Sequence, residues 1–98
     1  MIGIIIRAQV GPDQRHELMQ MGQRWLDSNH LPAACLERHI YQDATSPADL
    51  LLTERWSDEA AMISYLSSDH FRALVGAVKV LGKLVDVCAC ETKIVESG

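Results

Sequence analysis

"ERWSDEAAMISYLSSDHFRAL", residues 54–74, joins the end of a predicted strand to the start of a predicted helix. Ser57 is a favourable N-cap residue, and Asp58 and Glu59 would place negative charge at the positive end of the helix dipole. The apolar side chains that follow fall on one helical face: Ala61, Met62, Tyr65 and Leu66. The stretch therefore predicts a strand that ends at Trp56 and a helix that packs on it.

The helical pattern continues after a short interruption. Ser67, Ser68 and Asp69 can cap a second helical segment. An apolar stripe at helical spacing then leads to Gly82 through Phe71, Leu74, Val75 and Val78. Residues 83–95 are rich in β-branched side chains, which favours a final strand.

Three strands and a helix are predicted in residues 2–56. Apolar side chains occupy every even position of residues 2–10, which is typical of a strand. Gly11 ends that strand, and residues 13–28 carry apolar groups at three- and four-residue spacing, as in an amphipathic helix. Residues 35–44 favour a second strand, and a turn containing proline leads to a third over residues 50–56.

The order strand, helix, strand, strand, helix, strand is the split βαβ arrangement of ferredoxin-like α+β folds. Its helices cover one face of an antiparallel sheet, and the other face can meet water only where it is polar. Here both faces carry apolar residues: Ile5 lies opposite Ile2, Ile4 and Ile6, and Val85 and Val87 lie opposite Leu84, Cys88 and Cys90. We therefore expect one domain, residues 1–98, that forms a homodimer with its sheets packed together.

Composition and charge argue against several other classes of protein. With 98 residues, of which 48% are hydrophobic and 22% charged, the chain has ordinary globular usage. The formal charge is −4 and the nine basic residues are scattered, so no nucleic-acid partner is expected. The apolar start is interrupted at Arg7, too early for a signal peptide or a membrane span. We therefore expect a cytoplasmic protein with no membrane association.

The three cysteines, Cys35, Cys88 and Cys90, are an odd number, and a reducing compartment would keep them as thiols. The chain contains neither a CxxC nor an HxxxH pattern, so no metal site is expected. The cysteines are interpreted as small buried residues.

These residues resemble the signature of the antibiotic biosynthesis monooxygenase family. The similarity lies in Glu54-Arg55-Trp56, Ser57-Asp58-Glu59, Ala61-Met62 and Ser68-Asp69-His70-Phe71. The lead into the first helix, Val10-Gly11-Pro12, and the segment from Pro32 to Cys35 are also similar. The resemblance implies a dimeric α+β barrel that oxidises quinols or anthrone-type aromatic compounds. It implies molecular oxygen as co-substrate and no metal or flavin cofactor.

The chain also departs from the family pattern. Many members have a histidine where Tyr65 stands. The haem degraders similar to this family have a tryptophan at that position, an axial histidine at about Val75 and an asparagine near Ile6 or Arg7. All three residues are missing here, so haem cleavage is not expected.

A cofactor-free oxygenase needs a base and an apolar pocket in which the substrate anion meets oxygen. His70 is the candidate base, because imidazole titrates near neutral pH and His70 stands near the break between two helical segments. A surface histidine at a helix start is the alternative. Tyr65 is the second catalytic candidate, since it could hydrogen-bond a substrate oxygen or stabilise a phenolate. Ordinary core packing also explains Tyr65.

Three residues are candidates for substrate binding. Trp56 could stack on a flat ligand, Phe71 adjoins His70, and Arg7 could hold an anionic group. A packing anchor explains Trp56 equally well, and a solvated or salt-bridged arginine explains Arg7.

The sequence therefore predicts a cofactor-independent monooxygenase that oxidises a small aromatic, quinol or anthrone-like substrate. Two alternatives remain open. One is a non-catalytic ligand-binding or interaction barrel, and the other is an isomerase or signal-molecule-degrading enzyme of the same fold.

Overall fold

The computed structural model describes residues 2–28 and 31–98 and contains the predicted series of strands and helices. The elements are β1 (Ile2–Gln9), α1 (Pro12–Leu26), β2 (Cys35–Gln42), β3 (Asp49–Trp56), α2 (Glu59–Leu66), α3 (Asp69–Leu81) and β4 (Lys83–Glu91). The four strands form one antiparallel sheet in the order β2-β3-β1-β4. The predicted α+β, ferredoxin-like fold is confirmed.

The sheet has two different faces, which follow from the alternation of β1. Ile6 pairs with Leu52 of β3 and Val87 of β4, and these side chains point towards the helices. Arg7, the next residue, pairs with Leu51 and Asp86 and points away from them. We call the first side the helix face and the second the open face.

The core lies between the helix face and the three helices. Its larger cluster joins β1 and β3 to all three helices and contains Ile4, Ile6, Trp25, Leu52, Trp56, Met62, Tyr65, Phe71 and Leu74. A smaller cluster contains Ala8, Val10, Leu18, Leu50 and Val78. Strict alternation in β1 and β3 thus supplies one wall, and the amphipathic helices supply the other.

The last strand differs from its prediction in two ways. It ends at Glu91, which pairs with Ile2, and not at Val95. A bulge near Val85 also breaks the alternation, since Arg7 pairs with Asp86 but Ala8 pairs with Leu84. The predicted grouping of faces in this strand is therefore wrong.

The bulge moves apolar side chains between the two faces. Leu84 lies on the helix face next to Ala8, whereas Cys88 and Cys90 lie on the open face next to Ile5 and Gly3. The prediction that the cysteines are buried is wrong for Cys88, which is exposed.

Of the two predicted helix caps, the one for α3 is confirmed and the one for α2 is wrong. Asp58, not Ser57, caps α2, because its carboxylate accepts a hydrogen bond from the Ala60 N–H at 3.1 Å. The Ser57 N–H instead donates to the Ala34 carbonyl at 2.9 Å and ties the end of β3 to the segment before β2. Ser68 caps α3, as predicted, by accepting from the Phe71 N–H at 3.2 Å.

Gly76, in the interior of α3, and Gly82, at its C-terminal end, allow a matched test of packing. A Cβ at Gly82 would clash with the Gln9 carbonyl oxygen, whereas a Cβ at Gly76 would meet no atom within 4 Å. We expect Gly82→Ala to lower the free energy of unfolding by about 1–3 kcal/mol, because backbone must move. Gly76→Ala should raise it by about 0.5–1 kcal/mol, because alanine favours a helix interior. Urea denaturation followed by circular dichroism measures both, and equal effects would contradict the close contact.

Candidate active site

A cavity of about 330 Å³ opens on the helix side of the molecule. It lies between α2, the start of α3 and the segment that precedes β2, and it is lined by Leu31, Pro32, Ala61, Ser64, Tyr65, Ser68 and His70. Both predicted catalytic residues line it, and the ring centroids of Tyr65 and His70 are 6.5 Å apart. The cavity is therefore the candidate active site.

The break between α2 and α3 places His70 at this cavity. The Ser68 hydroxyl donates to the Tyr65 carbonyl oxygen at 2.6 Å, so the end of α2 is tied to the cap of α3. His70 follows one residue into α3 and is exposed to solvent. The imidazole of His70 therefore lies at the solvent-facing mouth of the cavity.

Tyr65 forms the inner wall of the cavity. It is only 6% exposed, and its ring packs on Trp56 at 4.9 Å and edge-on to Phe71 at 5.4 Å between centroids. Trp56 and Phe71 are themselves buried and stand behind Tyr65. The structure therefore brings four of the five predicted site residues into one group.

Arg7 does not join that group. It lies on the open face, where its Nε is 3.6 Å from Asp86 Oδ1, and both side chains are about half exposed. The sheet separates it from the cavity, because Arg7 and its inward neighbour Ile6 point to opposite sides of β1. A role for Arg7 in binding a ligand next to Tyr65 does not fit this placement.

A buried ion pair that sequence reasoning missed lies behind Tyr65. Arg38 of β2 sits directly across from Glu54 of β3, and its Nε donates to Glu54 Oε2 at 2.7 Å. The two side chains are 4% and 1% exposed. The remaining guanidinium nitrogens donate to the Trp25 carbonyl oxygen at 2.8 Å and to the Tyr65 hydroxyl at 3.0 Å. The guanidinium also lies over the Trp25 ring, 4.7 Å from its centroid.

Burial shifts the ionisation of these groups. It raises the pKa of Glu54 above the ordinary glutamic acid value, although the charge and hydrogen bond of Arg38 lower it. Burial, followed by the charge of Glu54, raises the pKa of Tyr65 to about 12. Burial and then Glu54 also raise the pKa of the Cys35 thiol. At neutral pH, Tyr65 is therefore a protonated phenol whose oxygen already accepts a hydrogen bond.

One signal in the sequence could have located this pair. Leu50, Leu52, Glu54 and Trp56 occupy alternate positions of β3, and all four are buried. A carboxylate within such an inward-facing row needs a buried partner, because isolated ionised groups are rarely buried. The sequence alone did not identify Arg38 as that partner, since the register of β2 against β3 depends on a bulge between Cys35 and Glu37.

Within residues 2–28 and 31–98, the His, Cys, Asp and Glu side chains form no group of three or more arranged to hold a metal ion. In the same part of the chain, no helix has both the length and the apolar character that a bilayer crossing requires.

The family model for antibiotic biosynthesis monooxygenases matches residues 1–77. The chain belongs to this family. A curated relative, an uncharacterised protein of Synechocystis, is 24% identical over 67 residues, which are 68% of this chain and 46% of the relative. The matched part thus spans about half of that protein's length.

Solved structures of similar fold support the architecture of this family member. A candidate antibiotic biosynthesis monooxygenase from Deinococcus radiodurans has a TM-score of 0.84 at 20% identity, with 99% of this chain and 97% of the other covered. A conserved protein from Methanosarcina mazei has a TM-score of 0.80 at 21% identity, with 94% and 92% covered. SnoaB, a cofactor-independent oxygenase from Streptomyces nogalater, has a TM-score of 0.71 at 10% identity, with 95% and 93% covered.

The buried ion pair predicts a pH-dependent loss of stability when it is broken. Arg38→Met leaves the Glu54 carboxylate buried without its cation and should lower the free energy of unfolding by about 3–5 kcal/mol near neutral pH. The folded-state pKa of Glu54, already raised, rises further in this variant. The deficit should therefore be smallest below the ordinary pKa of glutamic acid and grow as the pH rises through the folded-state value. Urea denaturation across this pH range measures it.

The half-exposed pair formed by Arg55 and Glu37, 2.7 Å apart, supplies the control. Arg55→Met should change the free energy of unfolding by no more than about 1 kcal/mol. A deficit of the same size in both variants, or a deficit for Arg38→Met that does not depend on pH, would contradict the buried pair.

Proposed function

We propose that this family member is a cofactor-independent monooxygenase that oxidises a small aromatic, quinol or anthrone-like substrate. The observation that carries the proposal is the convergence of His70 and Tyr65 on one cavity backed by aromatic side chains. Its volume of about 330 Å³ is at the lower end of the range for ligand sites, which favours a single-ring quinol over a larger polycycle. The structural likeness to SnoaB, a cofactor-independent oxygenase, is consistent with this chemistry.

In the proposed reaction, His70 takes a proton from a substrate hydroxyl at the mouth of the cavity. The anion that forms then reacts with molecular oxygen in the apolar interior. One oxygen atom becomes bonded to a ring carbon as a hydroxyl group, and the other leaves as water with two substrate hydrogens. A quinol thus becomes a hydroxyquinone, and no external reductant is needed. Tyr65 remains protonated because its pKa is raised to about 12, so it can serve as a hydrogen-bonding group for a substrate oxygen.

Oxygen uptake tests this proposal directly. We expect uptake above background with at least one compound from a panel of hydroquinones and anthrones. His70→Ala should lower the turnover number by about 10²–10⁴-fold, the range expected for a general base. His16→Ala is the matched control, because His16 is an exposed imidazole on α1 and should leave turnover unchanged.

A non-catalytic ligand-binding barrel is the second candidate function. Two observations favour it. His70 is exposed, as a surface histidine at a helix start would be, and the Tyr65 hydroxyl already accepts a hydrogen bond from Arg38 within the core. Ligand binding without turnover, with affinity unchanged in His70→Ala, would reject the oxygenase and support the ligand-binding barrel. Product formation without oxygen consumption would indicate an isomerase or a signal-molecule-degrading enzyme instead.

We infer that the open face is covered by a second copy of the chain. Its centre carries apolar side chains from all four strands: Ile5, Tyr41, Leu51, Val85 and Cys88. Four of its charged groups form two ion pairs within the chain, Arg7 with Asp86 and Arg55 with Glu37. Such a face is nearly neutral, and a two-fold axis can bring it against itself without opposing like charges. The three free thiols are consistent with a cytoplasmic location.

Sedimentation velocity tests the dimer. Leu51→Glu places a carboxylate at the centre of the open face and should raise the dimer dissociation constant by about a hundredfold or more, because an additional charge would be buried among the apolar side chains there. Val80→Glu is the control, since Val80 is 83% exposed on α3. A monomeric parent protein at micromolar concentration would contradict the inference, as would equal dissociation of the two variants.

A further inference from the structure

A second cavity, of about 210 Å³, lies on the open face of the sheet. Arg55 of β3, Gly3 of β1 and Cys90 of β4 are direct cross-strand neighbours at its floor. Glu37 of β2 pairs with Arg55 and extends this row to the sheet edge. The walls of the cavity include Ile5, His39, Tyr41, Thr53 and Thr92. Because the sheet lies between this cavity and the one that His70 lines, the two spaces are distinct.

A glycine leaves the floor of this cavity without a side chain. Arg55 and Cys90 flank Gly3 on the two neighbouring strands, and their side chains project from the same face of the sheet. A Cβ at position 3 would lie 3.3 Å from Thr92 Cγ2 and 3.5 Å from Cys90 Sγ, so any larger side chain would occupy the hollow. Glycine within a strand often marks a place where a ligand or another backbone comes close.

Two polar atoms at the cavity are buried and have no hydrogen-bond partner among residues 2–28 and 31–98. They are Arg55 Nε and Thr92 Oγ1. Arg55 Nη2 donates to Glu37 Oε1 at 2.7 Å, so the guanidinium is held in place while its Nε–H stays unused. Leaving a buried donor without an acceptor is unfavourable. An acceptor in the cavity would satisfy the Nε–H, and the Thr92 hydroxyl can donate to it as well.

A carboxylate has the chemistry that these groups lack. It offers two acceptor oxygens, and hydrogen bonds from a guanidinium to a carboxylate are strengthened by charge. The nearby charge of Glu37 would repel a dianion more than a monoanion. Ile5 and Tyr41 provide apolar surface, which favours a carboxylate with an apolar body over an inorganic anion. The cavity is smaller than the about 300 Å³ at which ligand sites usually begin, so the ligand must be small.

We propose that this cavity is a second ligand site, which binds a small monocarboxylate. The Arg55 Nε–H and the Thr92 hydroxyl donate to the carboxylate oxygens, and the apolar part of the ligand lies against Ile5 and Tyr41. Gly3 and Arg7 are four residues apart on β1, which is about 13 Å along a strand. The site therefore lies towards one end of the open face, at the margin of the proposed contact with a second copy.

The Arg55 Nε–H gives a direct spectroscopic test. Its resonance in a ¹H–¹⁵N correlation spectrum is identified by its absence in Arg55→Lys. We expect sodium benzoate to shift this resonance saturably in the parent protein. Benzyl alcohol, which has the same ring but no charge, should bind about tenfold or more weakly, as expected when a hydrogen bond to a charged group is lost. Sodium sulfate at equal ionic strength should also bind more weakly than benzoate.

Two variants test the residues that form the site. Arg55→Lys keeps the positive charge but removes the Nε–H, and it should weaken benzoate binding about tenfold or more. Gly3→Ala should weaken it too, because the methyl group occupies the floor of the cavity. Arg72→Lys, which changes an exposed arginine on α3, is the matched control and should retain the parent affinity. Backbone amide shifts measure the affinity in each variant and show whether the variant is folded.

The parent protein decides the question if a variant does not fold. No saturable shift of the Arg55 Nε–H with benzoate, or equal affinity for benzyl alcohol, would overturn the proposal and leave a structural water on Arg55. Sulfate that binds as tightly as benzoate would reject the carboxylate class. Unchanged benzoate affinity in Arg55→Lys would reject Arg55 as the binding group. Benzoate binding that is weakened in Arg55→Lys and Gly3→Ala but kept in Arg72→Lys would support the site.

Discussion

The guanidinium of Arg38 connects four elements of the fold at one point. It binds the Glu54 carboxylate of β3, the carbonyl at the end of α1 and the hydroxyl of Tyr65 on α2, while Arg38 itself belongs to β2. Removal of either charged partner would leave the other buried and unpaired, which is far more costly than loss of an exposed ion pair. The interaction therefore fixes how the sheet edge and two helices meet, and with them the inner wall of the cavity.

The two faces of the sheet differ in what they contact. The helix face contains the core, the buried ion pair and the cavity beside Tyr65. The open face combines apolar side chains with two ion pairs, which suits contact with a second copy. One alternating strand serves both sides, because successive side chains of β1 point in opposite directions. A change on one face can therefore be tested with little direct effect on the other.

Several features could be predicted from the sequence because they depend on neighbouring residues. The order of strands and helices and the Ser68 cap follow from periodicity and capping within short windows. The family signature in residues 54–71 directed attention to His70, Tyr65, Trp56 and Phe71, which the structure places in one group. The predicted substrate-binding role of Arg7 does not fit the structure, because Arg7 lies on the open face and the cavity lies on the helix side.

What the sequence determined by itself is the set of elements and the inward alternation of β1 and β3, since helix and strand periods are local properties of the chain. Only the tertiary structure decided that Arg38 faces Glu54 and that a bulge moves Leu84 to the helix face. These facts depend on strand register and on burial, which arise when residues far apart in the chain pack together.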